Sequence, residues 1–231
     1  MAQHDKKVIW MLNELDGFEK PKIKLEQYAT SSELAVSMME MIDSRVGLTG
    51  RKLIDIGCGT GMLMTSAGSL YDVAEIVGVD VDPEALTTCR RNLETADILD
   101  KCRLVHADIL DVTATSSTSP EEPASDESTV PRGTFHIALI NPPFGTKNNA
   151  GIDMKFVEAG LEMVVPGGHV FSLHKTTTRD FILKTAKKWE RVEKVECCAE
   201  MRWNLPATYK FHKQKAVDIA VDLMHFQKKS E

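Results

Sequence analysis

The sequence predicts one α/β domain built on a doubly wound, mostly parallel sheet of seven strands with an antiparallel last strand. Three observations carry this. Apolar runs alternate with helix-like segments along most of the 231 residues. The early runs are nearly continuous in Val, Ile and Leu, as expected of parallel strands covered on both faces. The last two runs stand too close together for a full crossover helix, so the final strand should turn back antiparallel.

In chain order, Thr30-Ser31 opens a helix over about 32–45, and the methionines of SMMEMI (37–42) fall at helical spacing, as core packing would require. Strands follow at KLIDIGC (52–58) and EIVGVDV (75–81). Asp82-Pro83 supplies an N-cap and a proline at the first helical position, starting a helix that runs to about Ala96. Further strands are expected at 103–109, 135–141 and 169–175, then a helix capped by Thr178 and reaching Trp189, then strands at 195–201 and 217–226. Residues 1–45 form an N-terminal helical extension of a single domain spanning 1–231. One segment breaks the pattern. Residues 114–133 are rich in Ser, Thr, Pro and acid, with Val130 the one large aliphatic, so they are expected to be a disordered acidic insertion between the third and fourth strands.

Composition narrows the class. Hydrophobic residues are 42% of the chain, enough for a substantial core, and no apolar run approaches a membrane span. Residues 1–10 lack the apolar segment of a secretory signal, and the five cysteines form no CxxC pair; both suit a soluble intracellular protein without a disulfide framework or zinc site. The net charge of −6 is uneven. Residues 1–173 hold 15 basic and 26 acidic side chains, whereas residues 174–231 hold 13 and 8, so the basic C-terminal quarter could form a local phosphate-binding face on an acidic protein. A solvated lysine-rich surface explains the same charge equally well.

The first strand runs into DIGCGTG, Asp55 to Gly61. Gly57, Gly59 and Gly61 permit a tight turn and close approach of a ligand to the backbone. The second strand ends at Asp80, where a carboxylate can accept hydrogen bonds from both ribose hydroxyls of a nucleoside. The third ends in HAD, with Asp108 within reach of an adenine amino group. The spacing is GxGxG after an acid, not the GxGxxG of dinucleotide enzymes. Acids after three successive strands suit S-adenosyl-L-methionine, which has no pyrophosphate to place on a helix N-terminus.

The fourth strand ends in ALINPPFGTKNN (138–149). Asn141, Pro142, Pro143 and Phe144 then lie beside the glycine turn at the carboxyl edge of the sheet. A base amine or a planar amide nitrogen is a poor nucleophile because its lone pair is delocalised. The Asn141 side-chain oxygen and the Pro142 carbonyl can each accept one of its N–H groups, the prolines preset those acceptors, and Phe144 offers a face for stacking. Loss of the Asn141 amide should raise the barrier by about 3 kcal/mol. His174, after an apolar strand, is expected to be a core or rim histidine and not a catalytic base.

DIGCGTG, VGVDVD, HAD and NPPF in this order resemble the seven-stranded, Rossmann-like class I S-adenosyl-L-methionine-dependent amino-methyltransferases. The segments GFEKPKIKLEQYAT (17–30), NPPFGTKNNAGIDMKF (141–156), SLHKTTTR (172–179) and LPATYKFHKQKAVDI (205–219) further resemble the methyltransferase-like protein five family, which makes N6-methyladenosine in small-subunit (18S) ribosomal RNA near the decoding centre. The likeness covers almost the whole chain; the first few residues and 114–133 depart from it. It implies donor contacts from Gln27, Thr30, Asp55, Gly57, Gly59, Thr60, Gly61, Met62, Asp80, Asp108 and Ile109, with backbone contact sufficing at Thr60 and Met62. It implies RNA contacts from Lys147 and from Lys210, Phe211, His212 and Lys213, no DNA or membrane partner, and a place in nucleus and cytoplasm. It also implies a small zinc-containing activator subunit, forming a heterodimer beside an edge strand. Two competing functions are a glutamine methyltransferase of a release factor, which uses an NPPY-type motif, and a non-catalytic RNA-binding module. Phe144 and the basic C-terminal segment favour RNA over the first; the intact glycines, Asp80 and NPPF speak against the second.

Overall fold

A computed structural model describes residues 3–114, 129–145, 149–206 and 216–230. Its strands are β1 (Lys52–Ile56), β2 (Glu75–Asp80), β3 (Cys102–His106), β4 (Phe135–Ile140), β5 (Val164–Lys175), β6 (Val192–Pro206) and β7 (Ala216–Lys228). They form one sheet in the order β3-β2-β1-β4-β5-β7-β6. The first five strands pair in parallel, and β7 lies antiparallel between β5 and β6. The order reverses at β1 and β4, which places the carboxyl ends of β1, β2 and β4 around one crevice.

Helices cover both faces, which is why the parallel strands are apolar throughout. On one face α2 (Ser32–Val46) and α3 (Met62–Leu70) pack Met38, Met39, Ile42 and Met64 against Leu53, Ile76 and Leu139. On the other, α6 (Ile152–Met163) and α7 (Arg179–Ala186) pack Val157, Leu161 and Ile182 against Ile54, Val77 and Ile140. The methionines at 38 and 39 are fully buried, in line with core packing. The capping signals were sound for two helices: Ser31 accepts from Leu34 N, and Asp82 accepts from Glu84 N at the start of α4 (Pro83–Thr95). Among the described residues, no helix is long and apolar enough to cross a membrane.

Three expectations need correction. Thr178 stands at the N-cap of α7 as expected but makes no side-chain capping bond: its hydroxyl donates back to the Lys175 carbonyl, and the helix stops at Ala186, three residues short of Trp189. Strand β5 starts at Val164, not 169, because Phe135 pairs with Val164 before the register slips across Pro166–Gly168. Residues 129–133 of the 114–133 insertion carry no helix or strand but are held in place. Residues 115–128 lie outside the described residues, but Val130 is buried in the core, Gly133 N donates to Glu162 O, and Arg132 donates to Val112 O. One aliphatic side chain and these bonds suffice to seat residues 129–133.

Candidate active site

The carboxyl ends of β1, β2 and β4 border a cavity completed by residues 107–110 after β3, by Ile152 and Phe156 of α6 and by the stretch between α1 (Gln3–Asn13) and α2. The glycine turn forms its floor. Gly57 and Cys58 donate to Val79 O at 2.8 and 3.1 Å, and the turn is closed by Asp80, which accepts from Gly59 N and Asp82 N, each at 2.8 Å. Gly59 has φ +54°, and a Cβ there would lie 2.9 Å from the Phe18 ring, so only glycine lets this aromatic approach. Burial holds the Asp80 carboxyl above its usual range.

Asp55 is the electrostatic anomaly of the site. It is 1% exposed and has no side-chain partner among the described residues; burial, then the Asp80 charge, pushes its pKa up to about 8 against the weaker opposing pull of the Met64 backbone N–H. A buried carboxyl lining a cavity without a side-chain partner suits a ligand that carries a cation. S-adenosyl-L-methionine brings an ammonium and a sulfonium, so the residues present fit it.

The wall contributed by residues 14–31 is tied down by α4. Asn92 is buried and clamps Asp16 through both its backbone N–H and its carbonyl, while its amide also donates to Thr60 O at 2.8 Å. Asp82, 3% exposed, accepts from Lys22 Nζ at 2.6 Å and Gln27 Nε2 at 2.7 Å. These partners keep its carboxyl below the usual range against the opposing effect of burial. Gln27 also accepts from Lys22 N through Oε1 at 2.7 Å. Gln27 therefore lines the cavity with its amide engaged in holding this wall in place.

At the end of β4, Asn141 is half-buried and its amide nitrogen donates to Thr30 Oγ1 at 2.8 Å. The amide oxygen has no hydrogen-bond partner among the described residues. Pro143 lines the cavity and Pro142 is buried outside its lining. Phe144 does not line it. Its ring stands edge-on to Trp203, with centroids 5.7 Å apart and planes at 81°, and the Lys175 ammonium sits 5.6 Å from its centroid.

Of the sequence-predicted donor residues, Gln27, Thr30, Asp55, Gly57, Gly59, Thr60, Met62, Asp80, Asp108 and Ile109 all line this one cavity, together with Asn141. Gly61 does not: at φ +85° it caps α3, and a Cβ there would lie 2.5 Å from Cys89 Sγ, so it serves helix packing. Lys147, Lys210, Phe211, His212 and Lys213 lie outside the described residues. His174 is 1% exposed, with Nδ1 3.1 Å from Asp153 Oδ2, a core position as expected. Sequence reasoning missed Phe18, Tyr28, Val81, Ile152 and Phe156 in the lining. The aromatic of GFEKP just before the cavity wall was the one available signal; nothing in the helical pattern marks Phe156.

A family model described as a methyltransferase domain matches residues 53–119. The chain is 69% identical to the Caenorhabditis elegans rRNA N(6)-adenosine-methyltransferase metl-5, over 97% of this chain and 98% of that protein. It is 41% identical to the Danio rerio rRNA N(6)-adenosine-methyltransferase METTL5, over 93% and 94% of the two chains. The crystal structure of a candidate RNA methyltransferase from Pyrococcus horikoshii matches with TM-score 0.76 at 27% identity, covering 99% of this chain and 100% of that one. Fold and cavity together define a class I methyltransferase that uses S-adenosyl-L-methionine. Within that class, the chain belongs to the METTL5 family of rRNA N6-adenosine methyltransferases.

Proposed function

We propose that this chain methylates N6 of one adenine in small-subunit (18S) ribosomal RNA, near the decoding centre. The observation that carries the reading is the Asn141–Thr30 bond at the mouth of a cavity that suits the donor. With its nitrogen held by Thr30, the Asn141 amide presents oxygen to an entering amine. That oxygen and the Pro142 carbonyl take the two N–H groups of N6, turning its lone pair toward the methyl group. The bound donor supplies an electrophilic methyl on its sulfonium. Asp55 holds the donor's ammonium, Asp80 its ribose hydroxyls and Asp108 its adenine amine. The displacement needs no general base in the transition state, because the proton can leave N6 after the methyl has transferred.

The working species is a heterodimer with a small zinc-containing activator that adds to a sheet edge. β3 supports this: it is a terminal strand of the sheet, and Cys102, Arg103 and Leu104 are only half-buried. A terminal strand of a sheet is a template for strand addition. The test is transfer from labelled donor by the chain with its activator, offering ribosomal RNA and a release-factor peptide in parallel. Label recovered as N6-methyladenosine from small-subunit RNA is expected. Label in the peptide would replace the substrate assignment while leaving the amine-gripping site intact.

A further inference from the structure

β4 and β5 are parallel neighbours, with Ile140 opposite Ser172. Lys175, the last residue of β5, therefore emerges at the same sheet edge as Asn141–Phe144. Its backbone is firmly held. The Lys175 carbonyl accepts from Thr178 Oγ1 at 2.8 Å, while Thr176 Oγ1 and the Arg179 guanidinium both bond to Asp222, which is fully buried. Its side chain, by contrast, is exposed and makes no ion pair among the described residues. The ammonium instead stands 5.6 Å from the centroid of the Phe144 ring. A fixed backbone, an ammonium without an ion pair among the described residues and an aromatic ring next to Asn141 are brought together at one point.

An exposed ammonium beside a half-buried ring is weakly held. A base stacking on that ring would displace it, and the phosphate that arrives with the base is an anion to receive it. Lysine suits this exchange, as a compact charge on a four-carbon stem with three donors that need no fixed geometry. We infer that Lys175 is a substrate-positioning residue: it guards the Phe144 face in the free protein and moves to the backbone phosphate of the nucleotide whose base enters the site. This rests on the RNA reading above. It adds a contact from the end of β5 to those expected from Lys147 and the 210–213 segment.

Lys175→Met keeps the length of the stem and removes the charge; Lys175→Arg restores the charge. Binding of a fluorescent single-stranded RNA to the full chain is measured by anisotropy over a range of salt concentrations, beside steady-state methylation and donor calorimetry. Loss of one phosphate contact should lower the slope of log K against log salt by about 0.7. For Lys175→Met we expect that change, a roughly tenfold fall in kcat/KM carried by KM, and an unchanged donor Kd; Lys175→Arg should recover the slope. An unchanged slope in Lys175→Met, with or without a drop in Tm, overturns the inference, as does a loss confined to donor affinity. If the unsubstituted chain binds no RNA, the substrate reading fails first and this inference fails with it.

Discussion

The amide nitrogen of Asn141 donates to the hydroxyl oxygen of Thr30 at 2.8 Å, across a sequence separation of 111 residues. One residue follows a central strand and the other precedes a helix, so the Asn141 amide is oriented by the N-terminal wall. Under the proposed function, the segment that closes the cavity also sets which atom of Asn141 faces the substrate.

Thr30→Val is therefore expected to lower the single-turnover rate on the order of tenfold while changing donor Kd little, since the hydroxyl is removed and the shape is kept. That loss matches the net worth of one hydrogen bond, about 1 kcal/mol. Thr30→Ser should restore the rate. The paired measurement is rapid-quench methyl transfer beside donor calorimetry.

Asp55 predicts a pH dependence with a definite sign. Its pKa of about 8 in the unliganded protein means that binding a cationic ligand must expel a proton below that pH. Donor affinity should fall as pH drops below about 8, by up to roughly tenfold per unit, and be flat above it. The same elevation makes the folded chain hold a proton that the unfolded chain, near pKa 3.9, releases. Stability without donor should thus decline as pH rises from about 4 through 8. Asp55→Asn should weaken donor binding and flatten both profiles. Calorimetry in buffers of different ionisation enthalpy reads the proton release directly.

Asn92→Ala removes three bonds at once: two to Asp16 and one to Thr60 O. Leaving such groups unsatisfied should cost about 1–3 kcal/mol in urea unfolding. Because the clamp joins the cavity wall to the glycine turn, donor dissociation followed by stopped flow should quicken several-fold. A stability loss with an unaltered off-rate would confine Asn92 to a structural role.

The parts of this molecule that were legible in the sequence are those written locally. The near-continuous aliphatic runs gave β1 to β4, the glycine turn and its acids marked the donor cavity, and the short interval before the last strand made β7 antiparallel. What was missed depends on distant contacts. Asn92 reads as an ordinary helix residue until Asp16 is brought beside it, and Phe156 as a core aromatic until Gly57 leaves room for it. Thr30 lines the cavity as expected, but that its hydroxyl also holds Asn141 was not foreseen; a hydroxyl's partner cannot be inferred from its neighbours in sequence. The stacking role expected of Phe144 failed to anticipate that Trp203 and Lys175, from two other strands, would occupy its surroundings.

The central claim is that Asn141 acts on the amine in the chemical step and not on the donor. The most direct test is Asn141→Ala, with single-turnover methylation of ribosomal RNA and donor calorimetry on the same preparation. The rate should fall at least about a hundredfold, as removal of a preset polar group at a reacting centre does, with donor Kd changed less than about twofold. Parallel losses of rate and donor affinity would contradict that role and make Asn141 part of the donor pocket.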